Sequence, residues 1–169
     1  MIKGGKGGKN TNVTGLDSEN KIFSYFIQSF ANLKENVILG VKSKIYLYEN
    51  KGLVVDNKLI EKIHYKPQPD IFVFVPKIKK LWIIEIKNQD TQGTGWEKFE
   101  FGIYGYKSNI YQRIFKNVNV EVEGIYTGDN WNKIKYLDDL KDYVYKNYKK
   151  TFYYQTEINE LIEKIKKEI

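Results

Sequence analysis

Two nearly uninterrupted apolar runs, I-F-V-F-V at 71–75 and L-W-I-I-E-I-K at 81–87, are separated only by P-K-I-K-K. Their β-branched and aromatic residues mark both as strands. A connection this short joins antiparallel neighbours, because a parallel partner needs a crossover of about a dozen residues or more. The P-Q-P at 67–69 forces extended backbone just ahead, so the first strand is expected from Asp70 to Val75, with K-I-K-K as the turn into the second. Whatever else the chain does, it is built around this hairpin.

The second strand carries an anomaly. Side chains alternate faces along a strand, so Ile84 and Ile86 point one way while Glu85, Lys87 and Gln89 point the other. An acid, a base and an amide in a row are either a solvated sheet surface or a site. Closing the hairpin around K-I-K-K brings Asp70 across from the Glu85 end of its partner. Two carboxylates a few ångströms apart repel, and a shared hard cation such as Mg²⁺ relieves the repulsion. Lys87 on the same face could then orient or deprotonate a water, or offset charge developing on phosphorus.

The flanking segments supply the rest of an α/β fold. Ile22, Phe23, Phe26, Ile27, Phe30 and Leu33 recur at three-and-four spacing. They predict a helix from Asp17 or Ser18, with Leu16 as a staple, to about Glu35-Asn36. V-I-L-G-V reads as a strand, and K-I-Y-L-Y, E-N-K-G and L-V-V read as a second hairpin. An amphipathic stretch from Trp96 to about Lys116 predicts a helix, which Gly102 and Gly105 weaken. V-N-V-E-V-E-G-I-Y is a further strand, and 137–148 and 157–169 are helical. The expected architecture is a central mixed β-sheet flanked by helices in one domain spanning 1–169, with a flexible Gly/Lys-rich arm at 1–15.

Composition narrows the chemistry. With no cysteine and only His64 as histidine, disulfides and thiolate sites are excluded and a zinc centre is disfavoured. No segment is long and apolar enough for a membrane helix, and no signal-peptide core is visible, so a cytoplasmic protein is expected. A net charge of +7 points to a polyanionic partner, nucleic acid first. Almost all of that charge is lysine, with Arg113 the one arginine. The head M-I-K-G-G-K-G-G-K lacks the G-K-[ST] ending of a P-loop.

P-D followed by E-I-K, each inside apolar strand residues, resembles the PD-(D/E)xK nuclease superfamily, and within it type II restriction endonucleases. Three further stretches are similar to those enzymes: G-G-K-N-T-N-V-T-G-L-D-S-E, E-I-K-N-Q with G-T-G-W-E-K-F, and Y-T-G-D-N-W with Y-L-D-D-L-K-D-Y. The resemblance implies a restriction-endonuclease-like core and a Mg²⁺-dependent endonuclease cutting double-stranded DNA at a short sequence. It also implies a homodimer, with a cognate DNA methyltransferase as genetic partner. It casts Asp70 and Glu85 as metal ligands, Lys87 as the catalytic lysine, Glu19 in an accessory role near the metal, and Gln89 beside the water or phosphate. DNA contacts are expected from Lys6, Lys9 and Asn10 in the head and from Asn88, Gln92 and Thr94 around the loop after the E-I-K strand. With one arginine, base reading falls to Lys, Asn and Gln.

Two alternatives compete. A structure-specific nuclease of the same fold, such as a Holliday-junction resolvase or a homing endonuclease, would use the same three side chains on a different substrate. A non-catalytic DNA-binding module would carry Asp70, Glu85 and Lys87 as a surface ion network. The G-I-Y sequences at 102–104 and 124–126 lack a Y-I-G partner and do not make a GIY-YIG nuclease.

Overall fold

The computed structural model describes residues 10–64, 66–89, 98–128 and 137–169, without the side chains of 10–15, 98–101 and 137. Among the described residues five strands form a mixed sheet, covered by helices on both faces. In chain order they are β1 (Ile38–Gly40), β3 (Ile71–Val75), β4 (Lys80–Asn88), β6 (Asn119–Thr127) and β7 (Phe152–Tyr154), and they lie side by side in that order. The β1–β3 and β3–β4 pairs are antiparallel, whereas the β4–β6 and β6–β7 pairs are parallel. Two further short strands, β2 (Val54–Val55) and β5 (Phe115–Lys116), pair antiparallel as a separate ribbon.

All five residues of β3 and the stretch 81–86 of β4 are buried, as a sheet covered on both faces requires. One face, here the front, packs Phe72, Phe74, Leu81, Ile83, Val120 and Val122 against side chains from 45–55, 103–114 and Val144. The back face packs Ile71, Val73, Trp82, Ile84 and Ile86 against Ile22, Phe26 and Phe30 of helix α1 (Asn10–Ser29) and Leu161, Ile162 and Ile165 of helix α5 (Ile158–Lys166). Gly40 needs its missing side chain: a Cβ there would strike the ring of Phe72, its partner in register.

The expected hairpin over 44–55 does not form. Residues Lys42–Lys51 are two short 3₁₀ pieces joined by a kink at Tyr48, and β2 beyond them pairs with β5. A strand would have put Ile45 and Leu47 on one face, yet Ile45 is buried and Leu47 is 73% exposed. The 3₁₀ turns instead bring Ile45 inward, and it packs into the front core together with Tyr48 at the kink. Gly52, at φ 96°, closes the second piece by donating its N–H to Glu49 and Tyr48 carbonyls.

α1 also begins earlier than expected, so residues 10–15 lie on the helix rather than in the arm. Its apolar face is held on the sheet, and the preceding turn propagates from that anchor. The α-helix closes at Ser29, and Leu33 follows on a separate 3₁₀ turn. Helix α2 (Asn57–Ile63) was not expected; the Asp56 side chain caps it by accepting from Leu59 N at 2.9 Å.

The expected 96–116 helix divides into a wide π-helical segment (Lys98–Lys107), α3 (Ser108–Ile114) and β5. Helix α4 (Leu137–Tyr148) links β6 to β7. No helix among the described residues is long and apolar enough to cross a membrane.

Candidate active site

The pairing of Ile71 with Ile84 makes Asp70 and Glu85 the next residues in register. Both side chains leave on the front face, where the β3–β4 ladder ends. Asp70 is fixed by its own strand partner: Ile86 N donates to Oδ2 at 2.7 Å. Lys87 stands between the acids, its Nζ 4.0 Å from Asp70 Oδ2 and 4.0 Å from Glu85 Oε2, while it donates to the Ile86 carbonyl at 3.1 Å. Glu85 is fully buried, Asp70 mostly so, and Lys87 half-buried at the strand end.

Two residues absent from the sequence-based site complete the setting of Glu85. Lys107, at the end of the π-helical segment, donates Nζ to Glu85 Oε2. Tyr111, on α3, donates its hydroxyl to Oε1 at 2.8 Å. They lie four residues apart and so share one helix face. That spacing was readable within the expected 96–116 helix, but nothing in the sequence showed that this face lands on β4. Burial and the Asp70 charge push the Glu85 carboxyl above its ordinary range, while Lys107 and Lys87 pull it back.

The remaining expected residues divide into three groups. Glu19 pairs with Lys42 at 3.1 Å, and Lys42 N donates to the carbonyl of Pro69 at 2.8 Å. Lys42 thus links helix α1, through Glu19, to the chain just ahead of Asp70. Asn88 Oδ1 accepts from Thr127 Oγ1 at 2.8 Å, and Gln89 N donates to the Thr127 carbonyl at 2.9 Å, so both extend the β4–β6 ladder past the acids. Asn10 starts α1. Lys6, Lys9, Gln92 and Thr94 lie outside the described residues.

Could these residues hold a hard divalent ion? The donors are the Asp70 and Glu85 carboxylates with the Ile86 carbonyl beside them, all oxygens of the kind Mg²⁺ accepts. An ammonium already occupies Glu85 Oε2, so the carboxylate edge is shaped to face a cation. Among the described residues no group of three or more His, Asp or Glu side chains forms a complete ion cage. Mg²⁺ commonly keeps several waters and needs only one or two carboxylates, so the donor set fits. No protein-family model, curated protein or solved structure matches the chain.

Proposed function

We propose that this chain is a Mg²⁺-dependent endonuclease of restriction type, with a restriction-endonuclease-like core, hydrolysing phosphodiester bonds of double-stranded DNA at a short specific sequence. The observation that carries the reading is the junction of β3 and β4: two carboxylates adjacent in register, with one lysine 4.0 Å from each. A phosphodiester is an anion whose hydrolysis develops more negative charge. A paired-carboxylate cation site with an ammonium beside it answers that need. The net charge of +7 supports a polyanionic substrate.

In this reading Asp70 and Glu85 hold Mg²⁺ with the Ile86 carbonyl. The bound ion supplies Lewis-acid polarisation of the phosphate and eases deprotonation of the attacking water. The protein's own groups do the positioning. Ile86 N–H fixes the Asp70 carboxylate, and Tyr111 fixes that of Glu85. Lys87 lies at the strand end, half-exposed, where its ammonium can meet a non-bridging phosphate oxygen or orient the water. Glu19, paired with Lys42, has an accessory role. Asn88 and Gln89, which continue β4 past the acids, are proposed to contact DNA, together with Lys6, Lys9 and Asn10 of the head and Gln92 and Thr94. Acting as a homodimer would let the enzyme read a palindrome, with a cognate methyltransferase protecting the host.

The test is incubation of a mixed-sequence plasmid with Mg²⁺, followed by sequencing of the ends. Discrete fragments with one end motif are expected from the wild type. Asp70→Ala and Glu85→Ala should each lose at least about a thousandfold in cleavage while still retarding DNA in a gel. Random ends point to a structure-specific enzyme of the same fold, and Mg²⁺-independent binding without any cutting points to a non-catalytic module.

A further inference from the structure

The two lysines near Glu85 are not equivalent. Lys87 Nζ stands 4.0 Å from both acids, beyond hydrogen-bonding reach, and donates to the Ile86 carbonyl. Lys107 makes the direct bond to Glu85 Oε2. With Tyr111 on Oε1, each oxygen of a fully buried carboxylate has a donor from the protein itself, as a buried charge demands. Among the described residues the charges also balance: Asp70 and Glu85 are offset by Lys87 and Lys107. A divalent ion entering that neutral set meets two ammonium groups and an oxygen already taken.

We propose that Lys107 is a built-in counter-cation of the site: its ammonium holds the Glu85 oxygen that the divalent ion takes, and ion binding and Lys107 withdrawal are one exchange. The inference rests on Asp70 and Glu85 being ion ligands. The supports differ in mobility in the way an exchange requires. The Tyr111 ring is fully buried and stacked on Phe115, with ring centroids 6.1 Å apart. The Lys107 side chain is 25% exposed, and it ends the π-helical segment. Its four-carbon stem can carry the ammonium outward while the helix stays in place. Once displaced, Lys107 leaves the site with a net negative charge, which favours the ion, and presents a second ammonium beside Lys87 to a phosphate. Lys107 is therefore a positioning residue that sets the affinity of the site for its ion.

Two measurements on the full chain without DNA test this. Mn²⁺ binding, read by calorimetry and electron paramagnetic resonance at pH 8, should tighten about tenfold in Lys107→Met and stay within about twofold of wild type in Lys107→Arg. In the wild type, which needs no substitution to fold, mass-spectrometric labelling of lysines should show Lys107 acylation rising several-fold on addition of Mg²⁺. Mn²⁺ binding no tighter in Lys107→Met, or Lys107 labelling that is flat or falls with Mg²⁺, overturns the exchange. Asp70→Ala separates this failure from a deeper one. If wild type binds Mn²⁺ and Asp70→Ala does not, the ion site stands and only the exchange is lost. If neither binds, the nuclease reading falls with it.

Discussion

Glu85 and Glu123 are the two fully buried acids among the described residues, and they lie on adjacent strands. Glu85 pairs in register with Gly124 and Ile84 with Glu123. This offset of one residue sends the two side chains to opposite faces of the sheet. On the front, Glu85 has a second carboxylate opposite it and a half-exposed lysine at the strand end. On the back, Glu123 meets lysines. Lys164 of α5 donates to Glu123 at 2.6 Å and to Glu121 at 2.7 Å, and Lys150 and Lys80 reach Glu121 at 2.8 Å each. The back cluster bolts α5 and the approach to β7 onto the sheet. Burial of a carboxylate is thus not what marks a site; what stands opposite it, and whether a strand end opens beside it, is what differs.

The contrast can be broken in order of effect. The widest separation is expected in cleavage: Glu85→Ala should abolish it, whereas Glu123→Gln should leave it within about threefold, since the Glu123 side chain points away from Asp70 and Glu85. Equal losses in plasmid digestion would erase the distinction between the faces. Stability should sort the opposite way. Lys164→Met leaves the buried Glu123 and the partly buried Glu121 short of their shared donor and should cost about 2–3 kcal/mol in urea unfolding, less than a fully buried pair because Lys164 is partly exposed.

A smaller effect comes from pH. Burial drives the Glu123 carboxyl up to about 7 against the pull of Lys164 and Lys150. Its folded pKa therefore lies above that of the unfolded chain, and the folded state binds the proton more tightly. The associated stability is full below the ordinary value of 4.5 and is lost as pH rises through about 7. In the same cluster, burial raises Glu121, but hydrogen bonds to Glu123, Lys150, Lys164 and Lys80 carry it below its ordinary range; Lys164, despite burial, is held above its own. Neither titrates between pH 5 and 8. Wild type should lose on the order of 2 kcal/mol across that window, and Glu123→Gln should flatten the slope. A parallel slope in the variant would assign the titration elsewhere, with Glu85 the next group to examine. The mildest change is Tyr111→Phe, which removes one donor from Glu85 and should cost about 1 kcal/mol, with cleavage reduced less than tenfold. A larger loss of cleavage would move Tyr111 from support to chemistry.

Local pattern carried the elements whose apolar residues point to one answer. β3, β4 and β6 fall within a residue or two of their expected spans, and 137–148 is the span of α4. The K-I-Y-L-Y segment failed because alternation and a three-residue period both fit so short a run. Only the position of the core decides that Ile45 turns inward and Leu47 outward. β7, with three residues, has too little length to register as a strand; its place comes from pairing with β6. The site divides the same way. Asp70, Glu85 and Lys87 were readable because a tight turn dictates register and register dictates which side chains meet.

By itself, then, the order of residues determined the central hairpin, the two acids and the lysine at its end, and the basic character of the surface, since these follow from interactions over a few residues. The tertiary structure alone decided that Lys107 and Tyr111 close on Glu85, that Glu19 pairs with Lys42, and that Glu121 and Glu123 are bolted by α5 rather than bathed in water. Those contacts join residues up to 43 positions apart, such as Glu121 and Lys164. No local propensity encodes them, because they exist only once the shared core has brought the helices down onto the sheet.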